Sequence, residues 1–473
     1  MSTPQPVADP TTAGRRPKAL LIVVDGTRYD RLKAARTPAI DSVGEAGVLA
    51  PSHITDTALT LPVSGPGHAS LHTGVWPDKH LVFENEFAGH DLTRYPPLFT
   101  RIGQLRPDLV TFSSADWAPI NDFLIASATT RLQPEEGDPV RNDAATTRDL
   151  VHALKDRELD LAYAYFHQVD ATGHAVGSDS DAYGAAIERV DGHIGDILSA
   201  VRARPTHAEE DWLVLVATDH GQTGDLHGGD EETTRTAWIA ASASWIDAGI
   251  ARARTWRQVD IVPSVLRHFA IPVDPAWGLD GVPIGTPGQD PFDTVAVPEG
   301  ATSTEQVPAG WSRLERTPDC GDPGYRGWRL IRQQDWARED GGRGRGSFVR
   351  SRDMIAVADS RRWGGTGDFD STLCSPWTPV TPGARFTVSF LSHYRLWNAI
   401  PEFGATVHAE FDDGSTHRLW LRLRPEPQLS TPLTLSGHCP DGAGQVRIAW
   451  RLVDPGTRGY WAISAPEIAV ATA

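Results

Sequence analysis

The chain has 473 residues, too many for one ordinary hydrophobic core and too few for more than about three. Its 61 acidic and 44 basic residues give a net charge of −17, which argues against a nucleic-acid polymer or an anionic membrane surface as a partner. No apolar run approaches the roughly 20 residues of a membrane-spanning helix. The N-terminal residues also contain no apolar signal segment, so we expect no membrane span and a cytoplasmic location.

The first part of the chain has the pattern of an α/β domain. We expect the polar, proline-rich residues 1–17 to form a disordered leader and residues 18–286 to form the domain. Three continuous apolar runs are typical of strands buried on both faces of a parallel sheet: 19–24, 161–166 and 212–217. Apolar residues recur at helical spacing over 182–203. This alternation predicts a doubly wound, mostly parallel sheet.

The last third of the chain has a different composition. Residues 287–310 are rich in proline, glycine and threonine and are interpreted as a linker. Residues 311–473 are predicted to form an all-β sandwich, with a turn at 412–415. Its predicted strands are the β-rich runs 385–391, 405–411, 417–423 and 445–452.

This predicted sandwich holds nine of the 16 tryptophans, which are either core residues or part of a face for self-association or glycan contact. It also holds all three cysteines, which are too few for a disulfide framework and leave room for one disulfide at most: Cys320, Cys374 and Cys439.

Short motifs rich in aspartate and histidine follow the three predicted parallel strands. The carboxyl ends of such strands form the usual binding edge of an α/β sheet, so these side chains should converge there. Oxygen and imidazole ligands suit zinc best, with manganese as a less favoured alternative. The six candidate ligands are Asp25, Asp170, His174, Asp219, His220 and His227.

Ser64 lies in the segment TLPVSGPGHASL, at the predicted start of a short helix. One interpretation is a simple helix N-cap. The other is a nucleophile, because a hydroxyl close to metal ions can be activated for attack.

Together these residues resemble the alkaline phosphatase superfamily, and more narrowly its type I phosphodiesterase/nucleotide pyrophosphatase branch, over roughly residues 17–285. The resemblance implies two zinc ions. One would be held by Asp170, His174 and His227. The ligands of the other would be Asp25, Asp219, His220 and the oxygen of Ser64.

The resemblance also implies how a substrate would be held. In this branch an asparagine 21 residues after the nucleophile binds a phosphoryl oxygen, and Asn85 stands at that spacing from Ser64. Asn85 and the Gly65 amide would hold the phosphoryl oxygens while Ser64 attacks phosphorus. Trp117 is expected either to stack on a base or aryl group or to pack at the edge of the core. Two departures are Ser64, where many relatives have threonine, and Gly67, where asparagine is usual.

The predicted function is therefore a metal-dependent phosphoric ester hydrolase that acts on a small-molecule phosphate ester. A diester or pyrophosphate substrate is favoured, because a monoester would need a cationic clamp. The one K-x-R triplet of the sequence, with Lys155 and Arg157, lies at the amino end of a predicted strand, away from the site. Phosphomonoesterase and phosphonate hydrolase activities remain alternatives. A binding protein that works through the β-sandwich is the non-enzymatic alternative.

Overall fold

The contacts of this computed structural model divide the chain into two units, Met1–Pro287 and Gly288–Ala473. The structure describes residues 14–470 except 55–59, 136, 157, 287–289, 316–324, 326, 340–343, 361–367, 397–403, 424–425 and 456–458. Most of the expected leader, residues 1–13, lies outside the described residues. Residues 14–17 of that leader are described, and the last two of them belong to the first strand, which begins at Arg16.

The first unit is built on a seven-stranded sheet with the order β2-β7-β6-β1-β5-β3-β4. Neighbouring strands from β6 through β4 run parallel, whereas β7 is antiparallel to both of its neighbours. The strands are β1 (Arg16–Val24), β2 (Val48–His53), β3 (Val110–Ser114), β4 (Thr130–Leu132), β5 (Leu159–Phe166), β6 (Glu210–Ala217) and β7 (Thr236–Ser242).

Eleven α-helices of the first unit are described. They are α1 (Tyr29–Ala34), α2 (Pro38–Ala46), α3 (Ser64–Thr73), α4 (Pro77–His80), α5 (Leu98–Leu105), α6 (Pro139–Ala153), α7 (Gln168–Val176), α8 (Asp181–Arg202), α9 (Glu232–Arg235), α10 (Ala248–Ala253) and α11 (Ile261–His268).

Strand β1 shows why its sequence is apolar throughout. Leu21 and Val23 enter a core with residues of α3, α5 and α11, whereas Leu20 and Ile22 enter a second core with residues of α2, α6 and α8. Because successive side chains of a strand point to opposite faces, both faces of the sheet are covered by helices. The predicted doubly wound, mostly parallel sheet is confirmed.

The second unit contains two antiparallel sheets, with the orders β17-β14-β19-β11-β10-β8 and β16-β15-β18-β12-β9, where β13 also pairs with β18. Its elements are β8 (Ser303–Thr304), β9 (Ser312–Glu315), β10 (Trp328–Arg332), α12 (Gln333–Arg338), β11 (Met354–Asp359), β12 (Phe369–Cys374), β13 (Thr378–Pro379), β14 (Arg385–Arg395), β15 (Gly404–Phe411), β16 (Thr416–Arg422), β17 (Gln428–His438), β18 (Gln445–Asp454) and β19 (Tyr460–Val470).

The two sheets share one core. Val388 and Trp461 of the first sheet and Val407 and Trp450 of the second belong to the same buried cluster. The predicted all-β sandwich is therefore confirmed. The predicted turn at 412–415 joins the paired strands β15 and β16.

Several smaller expectations concern this second unit. Within the expected linker, residues Pro291–Thr294 form a 3-10 turn, and Ser303–Thr304 pair with β10. Cys374 and Cys439 are buried, and Cys320 lies outside the described residues. Four tryptophans of this unit are fully buried: Trp328, Trp336, Trp450 and Trp461.

Among all described helices of the chain, none has the length and apolar character needed to cross a membrane.

Candidate active site

The site lies at the carboxyl ends of three neighbouring parallel strands. Asp25 follows β1, Asp219 and His220 follow β6, and Asp170 lies in the first turn of α7, just after β5. These strands are adjacent because β1 pairs with both β5 and β6. Their ends therefore meet at one edge of the sheet, as expected for a ligand site in this kind of fold.

The first group of candidate metal ligands is Asp170, His174 and His227, whose potential ligand atoms all lie within 4.8 Å of one another. His174 stands one helical turn after Asp170, with Nε2 3.3 Å from Oδ2 of the carboxylate. The Nδ1–H of His174 donates to the backbone oxygen of Asp225 at 2.7 Å. This hydrogen bond leaves Nε2 as the atom available to a metal.

The second group surrounds Asp25. His220 places Nε2 3.6 Å from Oδ1 of Asp25 and 3.2 Å from Oδ2 of Asp219. The Nδ1–H of His220 donates to the Gly221 oxygen at 2.9 Å, so its Nε2 is also the free ligand atom. The structure thus brings together all six side chains that the sequence predicted as metal ligands.

The chemistry of this donor set fits bound cations. One oxygen on each of Asp25, Asp170 and Asp219 is buried and has no hydrogen-bond partner among the described residues. Unpaired buried carboxylate oxygens are costly, and a metal ion is a common partner for them. Burial and the charge of Asp25 raise the pKa of Asp219, so these carboxylates repel one another until positive charge is supplied.

Ser64 lies beside this cluster. Its Oγ is 3.4 Å from Nε2 of His220, and the residue is only 8% exposed. Helix α3 begins at Ser64 itself, and its N-cap is Val63. The N-cap interpretation of Ser64 is therefore wrong, and its hydroxyl remains available at the site.

Asn85 and Gly65 are also brought together. The Gly65 N–H donates to Oδ1 of Asn85 at 2.7 Å. The amide thereby orients Asn85, and its expected contact with a phosphoryl oxygen stays a prediction. That orientation leaves the Nδ2 donor of the exposed Asn85 side chain for a substrate. A Cβ on Gly65 would lie 2.3 Å from the Glu84 oxygen, so glycine allows this close approach.

Trp117 lies half-buried next to the site. Its ring centroid is 5.8 Å from that of His68 and 6.4 Å from that of Phe87. It packs against the core and keeps a partly exposed surface, which is compatible with both interpretations drawn from the sequence. Lys155 is exposed just before β5, at the opposite end of that strand from the site, and Arg157 lies outside the described residues.

Two side chains that sequence reasoning missed contact Asp25. His68 is fully buried, with Nε2 3.3 Å from Oδ2 of Asp25 and 3.5 Å from Oδ2 of Asp219. Tyr165 donates its hydroxyl to the same oxygen of Asp25 at 2.6 Å. The only signal for His68 in the sequence is its spacing of four residues from Ser64, which places both on one helix face.

Comparison with known proteins agrees with this geometry. Residues 19–229 match the family model described as type I phosphodiesterase/nucleotide pyrophosphatase. The resemblance drawn from the motifs is confirmed. The matched segment contains every predicted site residue, from Asp25 to His227.

The relatives are distant, and each match covers only part of both chains. Ectonucleotide pyrophosphatase/phosphodiesterase family member 7 of Mus musculus is 23% identical over 227 residues, which are 44% of this chain and 51% of that protein. Bis(5'-adenosyl)-triphosphatase of Homo sapiens is 22% identical over 224 residues, covering 44% and 48%. The chain thus spans about half the length of the curated relatives it matches.

Among solved structures, murine ectonucleotide pyrophosphatase/phosphodiesterase 5 in complex with AMP shows 24% identity and a TM-score of 0.34. The match covers 44% of this chain and 58% of that one.

Proposed function

We propose that the protein is a metal-dependent phosphoric ester hydrolase, a phosphodiesterase or nucleotide pyrophosphatase, with Ser64 as its nucleophile. The observation that carries the proposal is the arrangement of buried carboxylates with unpaired oxygens and imidazoles around the Ser64 hydroxyl. Three carboxylates in one buried cluster are expensive for a fold and are typical of a site that binds divalent cations. The family match supports the same reaction class.

We propose two zinc ions as the cofactors, because a set of imidazole and carboxylate ligands suits zinc better than manganese. One would bind Asp170, His174 and His227. The ligands of the other would be Asp25, Asp219, His220 and the oxygen of Ser64. When bound, the ions would lower the pKa of the Ser64 hydroxyl and stabilise negative charge on the leaving oxygen.

The side chains would then divide the reaction between them. The hydroxyl of Ser64 gives its proton to water, and its Oγ forms a bond to phosphorus. The leaving oxygen departs with the electrons of its bond to phosphorus and takes a proton from water, which leaves a phosphoserine. Nδ2 of Asn85 donates to a phosphoryl oxygen, with its orientation set by the Gly65 amide. Tyr165 and His68 hold the Asp25 carboxylate in place. Water hydrolyses the phosphoserine in the second step.

The test is a comparison of three substrates at equal concentration with the zinc-loaded protein: p-nitrophenyl phosphate, bis-p-nitrophenyl phosphate and p-nitrophenyl thymidine monophosphate. We expect faster hydrolysis of the two diesters, loss of activity with a chelator and recovery with zinc. A monoester preference would instead favour a phosphatase, and activity that survives exhaustive chelation would reject the metal mechanism. A zinc-loaded protein that hydrolyses no phosphate or phosphonate ester would leave the binding-protein alternative.

A further inference from the structure

His167 is a histidine at the edge of the site to which the sequence motifs gave no role. It lies between β5 and α7, and its ring and its backbone are each held by a carboxylate. The ring Nδ1–H points to Oδ2 of Asp116 at 3.4 Å, and the backbone N–H donates to Oδ1 of Asp143 at 2.9 Å. Asp116 is itself held by Nδ2 of Asn142 at 2.8 Å. The imidazole is therefore oriented by a built network.

The second ring nitrogen of His167 is open to a ligand. Because Nδ1 faces Asp116, Nε2 is the remaining polar atom, and no partner for it is found among the described residues. The side chain is 30% exposed. The His167 ring lies 5.7 Å from that of Tyr165, whose hydroxyl binds Asp25. His167 thus borders the proposed metal cluster on the side of β5.

The charges around His167 favour its protonated form. Burial by itself would lower the pKa of His167, but the hydrogen bond to Asp116 and the charges of Asp25 and Asp170 raise it to about 9. Asp116 belongs to neither candidate metal group, so its hydrogen bond to His167 does not depend on whether metal is bound. The structure therefore places beside the site an imidazole whose positive charge Asp116 supports, whereas Lys155 lies at the far end of β5.

We propose that Nε2 of His167 binds an oxygen of the substrate's phosphoryl group and adds more to the binding of doubly charged phosphate groups than to that of singly charged diesters. This inference rests on the proposed function, because it assumes that phosphorus is held at Ser64. A singly charged diester needs only the metal ions and Asn85. A second charge, as in a monoester or in the adjoining phosphate of a pyrophosphate, requires a further cationic donor.

The experiment measures binding by titration calorimetry, with inorganic phosphate and dimethyl phosphate as probes for the zinc-loaded full chain. At about pH 8 inorganic phosphate is mainly a dianion, whereas dimethyl phosphate carries one charge. His167→Gln keeps a side-chain N–H for Asp116 but removes the positive charge. We expect the Kd for phosphate to rise at least about tenfold and the Kd for dimethyl phosphate to change less than about threefold.

His193→Gln is the matched control. His193 lies on α8 and stacks on Phe166, away from the candidate ligands, so this variant should bind both probes like the unaltered protein. Asp116→Asn should weaken phosphate binding in the same direction but less, because it removes only the charge that supports His167. If His167→Gln loses zinc or does not fold, Asp116→Asn is the variant that tests the inference.

An unchanged phosphate affinity, or an equal loss for both probes, would overturn the inference. Failure of the proposed function gives a different pattern, since the unaltered protein would then hydrolyse none of the p-nitrophenyl esters. If its phosphate affinity still depended on His167, the role of His167 would stand while the hydrolase proposal would be rejected.

Discussion

Zinc should stabilise the first unit strongly, because only the folded chain brings the two groups of ligands together. Among the described residues, one buried oxygen on each of Asp25, Asp170 and Asp219 has no hydrogen-bond partner. An ion present at a hundred times its Kd stabilises the folded state by about 2.7 kcal/mol, so two ions contribute about 5 kcal/mol. For a unit of this size, each kcal/mol raises Tm by roughly 2 °C. We therefore expect zinc to raise the Tm of the first unit by about 10 °C.

The assay is differential scanning calorimetry of the full chain, first with a chelator and then at increasing zinc concentration. The two units can unfold in separate transitions, so the shift is read from the transition that responds to zinc. The double variant Asp170→Asn/His227→Gln removes one ligand group, and the zinc-induced shift should fall to about half. His193→Gln, whose ring stacks on Phe166, should keep the full shift.

Two results would refute this reasoning. A Tm that does not respond to zinc would mean that the clustered side chains do not form metal sites. A full zinc-induced shift in the Asp170→Asn/His227→Gln variant would mean that zinc binds elsewhere in the chain.

The remaining predictions concern single positions. Ser64→Ala should lower kcat at least about a thousandfold while metal analysis still finds two zinc ions; a near-normal rate would mean that water attacks directly. Gly65→Ala should cost about 1–3 kcal/mol in denaturant unfolding, because its Cβ would lie 2.3 Å from the Glu84 oxygen; unchanged stability would contradict the described loop. Burial would raise the pKa of Glu210, but hydrogen bonds led by those from Arg204 lower it to about 2. The ionised Glu210 carboxylate therefore stabilises the folded state above about pH 4.5, and this contribution is lost as the pH falls towards 2. Glu210→Gln should lower the free energy of unfolding by about 3 kcal/mol at neutral pH, measured by denaturant unfolding.

Much of the first unit could be predicted because its central strands are buried on both faces. The runs at 19–24, 161–166 and 212–217 are continuous apolar segments, and each lies within an observed strand. Polar residues directly after such strands are confined to the same edge of the sheet by the parallel topology. For this reason Asp25, Asp170 and Asp219 could be placed near one another without knowledge of any side-chain contact.

The two sheets of the second unit were predictable for a related reason. Alternating runs in β14 and β15 indicate strands with one buried face, and the turn at 412–415 specifies that neighbouring strands pair. The pattern did not indicate that the strand at Ser303–Thr304 begins inside the expected linker, because a two-residue strand has no periodicity to detect.

The sequence by itself determined which strands carry the site, which residue types gather at their ends and which family the motifs resemble. Only the tertiary structure decided how these side chains meet. Tyr165 binds Asp25 across 140 residues of sequence, and His167 is held by Asp116 across 51 residues. The Gly65 amide is likewise directed to the side chain of Asn85. Such contacts depend on side-chain directions that are set when separate helices and strands pack, and local sequence patterns do not encode them.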